Sequence, residues 1–128
     1  MIMGLHHVSM KCGTPEDFRR AKAFYCDLLG LPVWREWPEG VLIDTGNGKI
    51  EIFNNGDGQR SLGAIRHFAL ADTGVDATVE RLRQAGYEVF MGPREISIGS
   101  IREEPGYPAR IAFCFGPLGE EIELFQEL

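Results

Sequence analysis

Long hydrophobic runs are missing from this chain of 128 residues: the longest uninterrupted apolar stretch, Ile111 to Phe115, has five. A membrane-spanning helix needs about 20, so no membrane association is expected. Met1-Ile2-Met3-Gly4 lacks a charged segment ahead of an apolar stretch, so no secretory signal peptide is expected either. Positive charge is short, with 13 Lys and Arg against 19 Asp and Glu and a formal net charge of −6. Such a chain is a poor electrostatic partner for phosphate backbones or anionic lipid, which disfavours nucleic-acid binding. There are only three cysteines, Cys12, Cys26 and Cys114. Their odd number and wide spacing argue against a disulfide framework and fit a reducing cytoplasm. All three lie in apolar runs and read as small buried hydrophobes. Histidine is as scarce, with only His6, His7 and His67, so its placement is informative.

What is present is ordinary for a globular chain: 44% hydrophobic and 25% charged residues, and a length that suits one domain with a real core. Leu5–Lys11 reads as a strand. Thr14-Pro15-Glu16-Asp17 then opens a helix, with a capping hydroxyl, a proline at the first turn and two acids at the positive end. Phe18, Ala21, Tyr25 and Leu28 share one face of it, and Gly30 stops it. Strands follow at Leu31–Trp37, Val41–Thr45 and Lys49–Phe53, parted by the turn signals Pro38-Glu39-Gly40 and Gly46-Asn47-Gly48. After a glycine-rich linker the order repeats. Ala64–Ala71 is a strand. Asp72 or Thr73 opens a helix with Val75, Val79, Leu82 and Ala85 on one face, ended by Gly86. Tyr87–Met91 is a strand, residues 92–108 read as irregular with a possible strand at Glu95–Arg102, and Ala109–Phe115 and Glu120–Phe125 close the chain. The fold class is α+β: two tandem βαβββ modules, 4–54 and 64–127, joined by a linker at 55–63 within a single domain of 1–128. The second copy carries about 16 extra residues, and they fall in the irregular segment.

Aligning the copies brings out four residues. The first strands contain Leu5-His6-His7-Val8-Ser9 and Ile65-Arg66-His67-Phe68-Ala69. The last contain Lys49-Ile50-Glu51-Ile52-Phe53 and Glu121-Ile122-Glu123-Leu124-Phe125. Side chains alternate along a strand, so His7 shares a face with Leu5 and Ser9, Glu51 with Phe53, and Glu123 with Phe125. Two units related by a pseudo-twofold bring His7, Glu51, His67 and Glu123 together. Two imidazoles and two carboxylates suit one divalent metal such as Zn, Ni, Co, Mn or Fe, and a cation offsets the cost of burying carboxylates. Taken singly, each glutamate better suits the wet face of an amphipathic strand, and His67 a satisfied core histidine. The recurrence in both repeats favours the metal. His6 is expected on the opposite face from His7, against the helix, and Arg66 away from the face of His67.

The chain resembles the vicinal oxygen chelate superfamily, the glyoxalase/bleomycin resistance fold. The resemblance rests on Leu5-His6-His7-Val8, Ala23-Phe24-Tyr25-Cys26-Asp27-Leu28-Leu29-Gly30-Leu31, Ile50-Glu51-Ile52-Phe53, Arg66-His67-Phe68-Ala69-Leu70, Leu82-Arg83-Gln84-Ala85-Gly86-Tyr87-Glu88-Val89 and Gly116-Pro117-Leu118-Gly119-Glu120-Glu121-Ile122-Glu123-Leu124-Phe125. These pieces cover nearly the whole chain. The family's Asp-Pro-x-Gly turn before the last ligand is Gly116-Pro117-Leu118-Gly119 here, so its first residue departs from the pattern. The resemblance implies paired modules forming a half-barrel, metal-binding cup, and metal-ligand roles for His7, Glu51, His67 and Glu123.

The ligand pattern is similar to that of glyoxalase I. It implies a metal-dependent lyase or isomerase, lactoylglutathione lyase-like, acting on a small carbonyl substrate through an enediolate. Glu51 or Glu123 is then the catalytic base, with Glu123 preferred on the resemblance. Phe53 and Phe125 are candidates for a substrate wall, and Arg35, Arg102 and Arg110 for anion clamps. Phe113 reads as core. The 92–108 segment, with Glu103-Glu104 at its tip, is a candidate cover. Alternatives are a fosfomycin-resistance-type thiol or water transferase, with Glu51 free as base, a methylmalonyl-CoA epimerase-like enzyme, and a metal-free protein that sequesters a flat ligand at Trp34 and Trp37. A homodimer is expected in each case.

Overall fold

Alternation with period two dominates the chain between its helices, and it builds two sheets of the same design. The structure, a computed structural model, describes residues 1, 3, 5–56, 65–98 and 106–128. The chain divides into two compact units, Met1–Ser61 and Leu62–Leu128. In the first, β1 (His7–Lys11), α1 (Pro15–Lys22), β2 (Val33–Trp37), β3 (Gly40–Asp44) and β4 (Lys49–Phe53) form a sheet in the order β1-β4-β3-β2. In the second, β5 (Phe68–Ala71), α2 (Val75–Gln84), β6 (Val89–Ile98), β7 (Tyr107–Phe115) and β8 (Glu121–Glu127) form a sheet in the order β5-β8-β7-β6. The first and last strands of each unit pair in parallel, and the other neighbours are antiparallel. Each unit is therefore a βαβββ module with a mixed sheet, as the repeat implied.

Each sheet turns one face to its own buried cluster. In the first unit Val41, Ile43, Ile50 and Ile52 are buried together with Ala21, Phe24 and Tyr25 of the helix. In the second, Ala112, Cys114, Ile122 and Leu124 are buried with Val75, Val79 and Leu82. Both helices end at glycines with positive φ, Gly30 at 74° and Gly86 at 86°, a conformation that a Cβ would strain. The helix faces read from the sequence change in two respects: Ala85, expected on the buried face of α2, is exposed at its end, and α1 does not stay α-helical. From Ala23 to Leu28 α1 continues as a π-helix, with Leu29 N–H donating to Phe24 O (3.0 Å). The wider turn admits an extra residue, so adjacent Phe24 and Tyr25 are both fully buried while Phe18 and Leu28 are only half-buried.

Several boundaries move by one to four residues, among them those of β2, β7 and β8 and the start of β6, and two bear on the site. β1 begins at His7 and β5 at Phe68, later than the expected Leu5 and Ala64, and Ala64 lies outside the described residues. The irregular segment is a larger correction. Residues 92–98 belong to β6, and Arg94–Ile98 pair with Ile111–Tyr107 of β7. The glycine and proline density that suggested a loop is accommodated by two register shifts, between Val89 and Met91 and between Met91 and Arg94. The described part of the extra segment thus lengthens a strand pair. Residues 99–105, with Arg102 and Glu103-Glu104, and most of the linker lie outside the described residues. Among the described residues no helix is long and apolar enough to cross a membrane.

Candidate metal-ligand pairs

In the first unit the parallel pairing sets Ser9 beside Glu51 and His7 beside Lys49. Residues paired across a sheet share a face, so His7, Ser9 and Glu51 stand on the side opposite the buried Ile50 and Ile52. His7 Nε2 lies 3.5 Å from Glu51 Oε1. The Ser9 hydroxyl donates to that same oxygen at 2.9 Å. His6 is exposed and is not packed against the helix, contrary to expectation, because the strand that would impose alternation starts only at His7. Instead its Nδ1 stands 2.8 Å from His7 Nδ1, with the rings edge to face. One of these two nitrogens must carry the hydrogen. With it on His7, Nε2 faces Glu51 as a lone pair.

The second unit repeats the pair with different neighbours. Ala69 takes the place of Ser9, beside Glu123. His67 Nε2 is 3.0 Å from Glu123 Oε2. The Nδ1 of His67 is buried and has no hydrogen-bond partner among the described residues. Phe113, expected to be plain core, is half-buried and lies edge-on to the His67 ring at 5.0 Å. It pairs with Glu123 across the sheet and continues into Phe90 and Phe115. The turn before β8 departs from the family pattern at Gly116, and Glu120 takes over there. Its buried carboxylate accepts the Leu118 N–H at 3.1 Å, a task suited to an Asx side chain at the start of a turn. A Cβ on Gly116 would fall 1.6 Å from that carboxylate, so the missing side chain makes room for it.

The remaining candidates divide by face. Phe53 packs edge to face on Trp37 at 5.7 Å, and Phe125 stacks on Tyr107 at 6.3 Å. Both are on the glutamate side of their sheets. Arg35 reaches that side through its pairing with Leu42, which pairs with Glu51, and it lies over the Trp34 ring. Arg110 faces the other way: its guanidinium holds Asp76 of α2 through two bonds, one of them 2.7 Å. That cation lowers the Asp76 carboxyl below its ordinary range. Arg66 is exposed. Cys12 and Cys114 are buried and Cys26 is half-buried. Burial raises all three thiols, that of Cys114 to about 11. Sequence reasoning passed over Ser9. Its spacing of two from His7 put it on the right face, and the contrast with Ala69 is visible in the aligned repeats.

Both pairs suit a cation chemically. Two donors each about 2.1 Å from one ion, at angles of about 90–109°, stand about 3.0–3.4 Å apart. The observed separations, 3.5 and 3.0 Å, fall just above that span and at its lower end. Each pair offers two donor groups and no more: among the described residues no group of three or more His, Cys, Asp or Glu side chains is gathered closely enough to hold a metal.

Comparison with known proteins points one way. The family model described as Glyoxalase/Bleomycin resistance protein/Dioxygenase superfamily matches residues 4–124. A Synechocystis protein named probable lactoylglutathione lyase is 31% identical over 97% of this chain and 95% of its own length. The uncharacterized protein YaeR of Escherichia coli is 27% identical over 96% of this chain and 95% of its own. Among solved structures, the fosfomycin resistance protein FosX of Listeria monocytogenes superposes with a TM-score of 0.71 at 18% identity, covering 100% of this chain and 96% of that one. A glyoxalase/bleomycin resistance protein/dioxygenase of Alicyclobacillus acidocaldarius gives 0.68 at 16% identity, covering 98% and 92%.

Proposed function

The chain belongs to the glyoxalase/bleomycin resistance protein/dioxygenase superfamily, and from that premise we propose that it is a metal-dependent, glyoxalase-like lyase or isomerase acting on a small carbonyl compound. One observation carries the reading. Each module presents a histidine nitrogen and a glutamate oxygen within 3.5 Å of each other, the histidine at or just before the start of the module's first strand and the glutamate on its last. His7, Glu51, His67 and Glu123 are the proposed ligands of a divalent ion, Zn, Ni, Co, Mn or Fe. Two imidazoles with two carboxylates form a borderline donor set that any of these accepts. The 31% identity to a protein named probable lactoylglutathione lyase favours this chemistry within the superfamily.

When bound, the cation supplies a Lewis acid for the negative charge that develops as a proton leaves the carbon beside a carbonyl. The chain's residues do the rest. His7 and His67 offer ring nitrogens. Glu51, tied to Ser9, holds its place. Glu123, beside an alanine, takes the proton at one of its carboxylate oxygens and returns it to the neighbouring carbon. Phe53, Phe125 and Arg35, on the glutamate faces of their own sheets, are the proposed substrate contacts, in a homodimer within the cytoplasm. The test is to load the purified chain with Ni²⁺ or Zn²⁺ and assay the hemithioacetal of methylglyoxal and glutathione. Uptake of about one ion per site with turnover is expected. Uptake below about a tenth of an equivalent after saturation would end the reading in favour of a metal-free binding protein. Metal uptake with Mn²⁺-dependent consumption of fosfomycin and no isomerase activity would replace it with a transferase.

A further inference from the structure

The two glutamates are not equivalent. Glu51 and Glu123 occupy matching positions on β4 and β8, each beside a strand that pairs with it in parallel. Beside Glu51 that strand carries a serine, whose hydroxyl donates to Oε1 at 2.9 Å. Beside Glu123 it carries Ala69, which has no polar side-chain atom. The terminal torsion of a glutamate is broad and roughly two-fold, so a carboxylate with a single partner can swing. A hydroxyl rooted in the neighbouring strand removes that freedom. β1 thus bears an imidazole at His7 and a hydroxyl at Ser9, both aimed at one oxygen of Glu51.

We propose that Ser9 is a positioning residue: its hydroxyl fixes the orientation of the Glu51 carboxylate for metal ligation. The inference rests on the reading of His7 and Glu51 as ligands. Residues that hydrogen-bond a metal ligand commonly change affinity about 10–100-fold when removed. The test uses the full chain freed of metal and titrated with Co²⁺, followed by calorimetry and by the visible absorption of the bound ion. Ser9→Thr and Ser9→Val are matched in shape and both suit a strand, and they differ by the hydroxyl alone. S9T is expected to bind within about threefold of the unchanged chain with the same band positions, whereas S9V and S9A bind about 10–100-fold more weakly with shifted bands. Equal affinity and identical spectra for S9T and S9V would overturn the role of Ser9 while leaving the ligand reading standing. No Co²⁺ uptake by the unchanged chain would remove the ligand reading and this inference with it.

Discussion

The two modules share strand order, parallel closure and a His–Glu pair, yet they surround that pair differently. The first places Ser9 beside its glutamate and His6 beside its histidine. The second places Ala69 and Phe113 there, and leaves a buried His67 nitrogen without a partner among the described residues. One pair is tied down by polar neighbours and the other is set among aromatic and small ones. Duplication supplies two matching His–Glu pairs, and substitution around them gives two like carboxylates different surroundings. On the function proposed above, the restrained Glu51 suits a ligand and the freer Glu123 a base.

The largest effects should come from the glutamates themselves. In the metal-loaded chain Glu123→Gln should lower kcat by about 10²–10⁴-fold while most of the metal is retained. Glu51→Gln should show its main loss in metal content. Turnover assays paired with metal analysis separate the two. Equal behaviour of both variants would break the asymmetry.

Next come the cores. Ile50 and Ile122 occupy matching positions on β4 and β8 and are both buried, on the helix sides of their sheets. Replacement of either by alanine should cost about 2–5 kcal/mol, the transfer loss plus the cavity left behind. Denaturant titration measures both. If the modules are as alike inside as their topology suggests, the two costs should agree within about 1 kcal/mol.

Much of this frame was legible in the residues. Gly30 and Gly86, Thr14-Pro15 and the alternating runs around Glu51 and Glu123 are local signals, and the elements they mark are present. Less legible were features set by tertiary context. The π-helical turn buries Phe24 beside Tyr25, and the spacing of apolar residues carried no sign of it. β6 runs on through Gly92-Pro93 because its partner β7 supplies hydrogen bonds across two register shifts, and local composition carries no trace of a partner 17 to 22 residues away. Ser9 was legible in principle. Its face followed from strand parity, but its bond to Glu51 depended on the parallel register, which a sequence does not state.

The thiols test the second core more gently. Burial first, then the charge of Glu120, pushes Cys114 up from 9.0 to about 11. A thiol whose pKa is raised by folding adds nothing against stability while both states are protonated. Above pH 9 the unfolded form begins to lose its proton, and stability falls until pH passes about 11. Thermal melts from pH 8 to 11 should show this decline, and Cys114→Ala should flatten it. At pH 8 the folded Cys114 thiol should react with iodoacetamide about 100-fold more slowly than in denaturant, as read by mass spectrometry of the labelled peptide.

The smallest expected effect lies at the helix starts, where the modules differ in how far they reach for a cap. α1 is capped by its own neighbour: Thr14 accepts the Asp17 N–H at 3.1 Å, with Glu16 and Asp17 at the positive end. α2 has Gly74 in that position and draws its cap from another element. Gln126 of β8 accepts the Val75 N–H at 3.1 Å, and Asp72 accepts that of Gly74 at 2.8 Å. Thr14→Ala should cost about 0.5–2 kcal/mol, and Gln126→Ala about 0.5–1.5 kcal/mol. The energies overlap but the consequences differ. Losing Thr14 frays one turn of a helix whose cap was local. Losing Gln126 cuts a tie between helix and sheet, so hydrogen exchange should quicken in β8 as well as in the first turn of α2. Exchange confined to that first turn would mean the tie is ornamental and that α2 is held by Val75, Val79 and Leu82 alone.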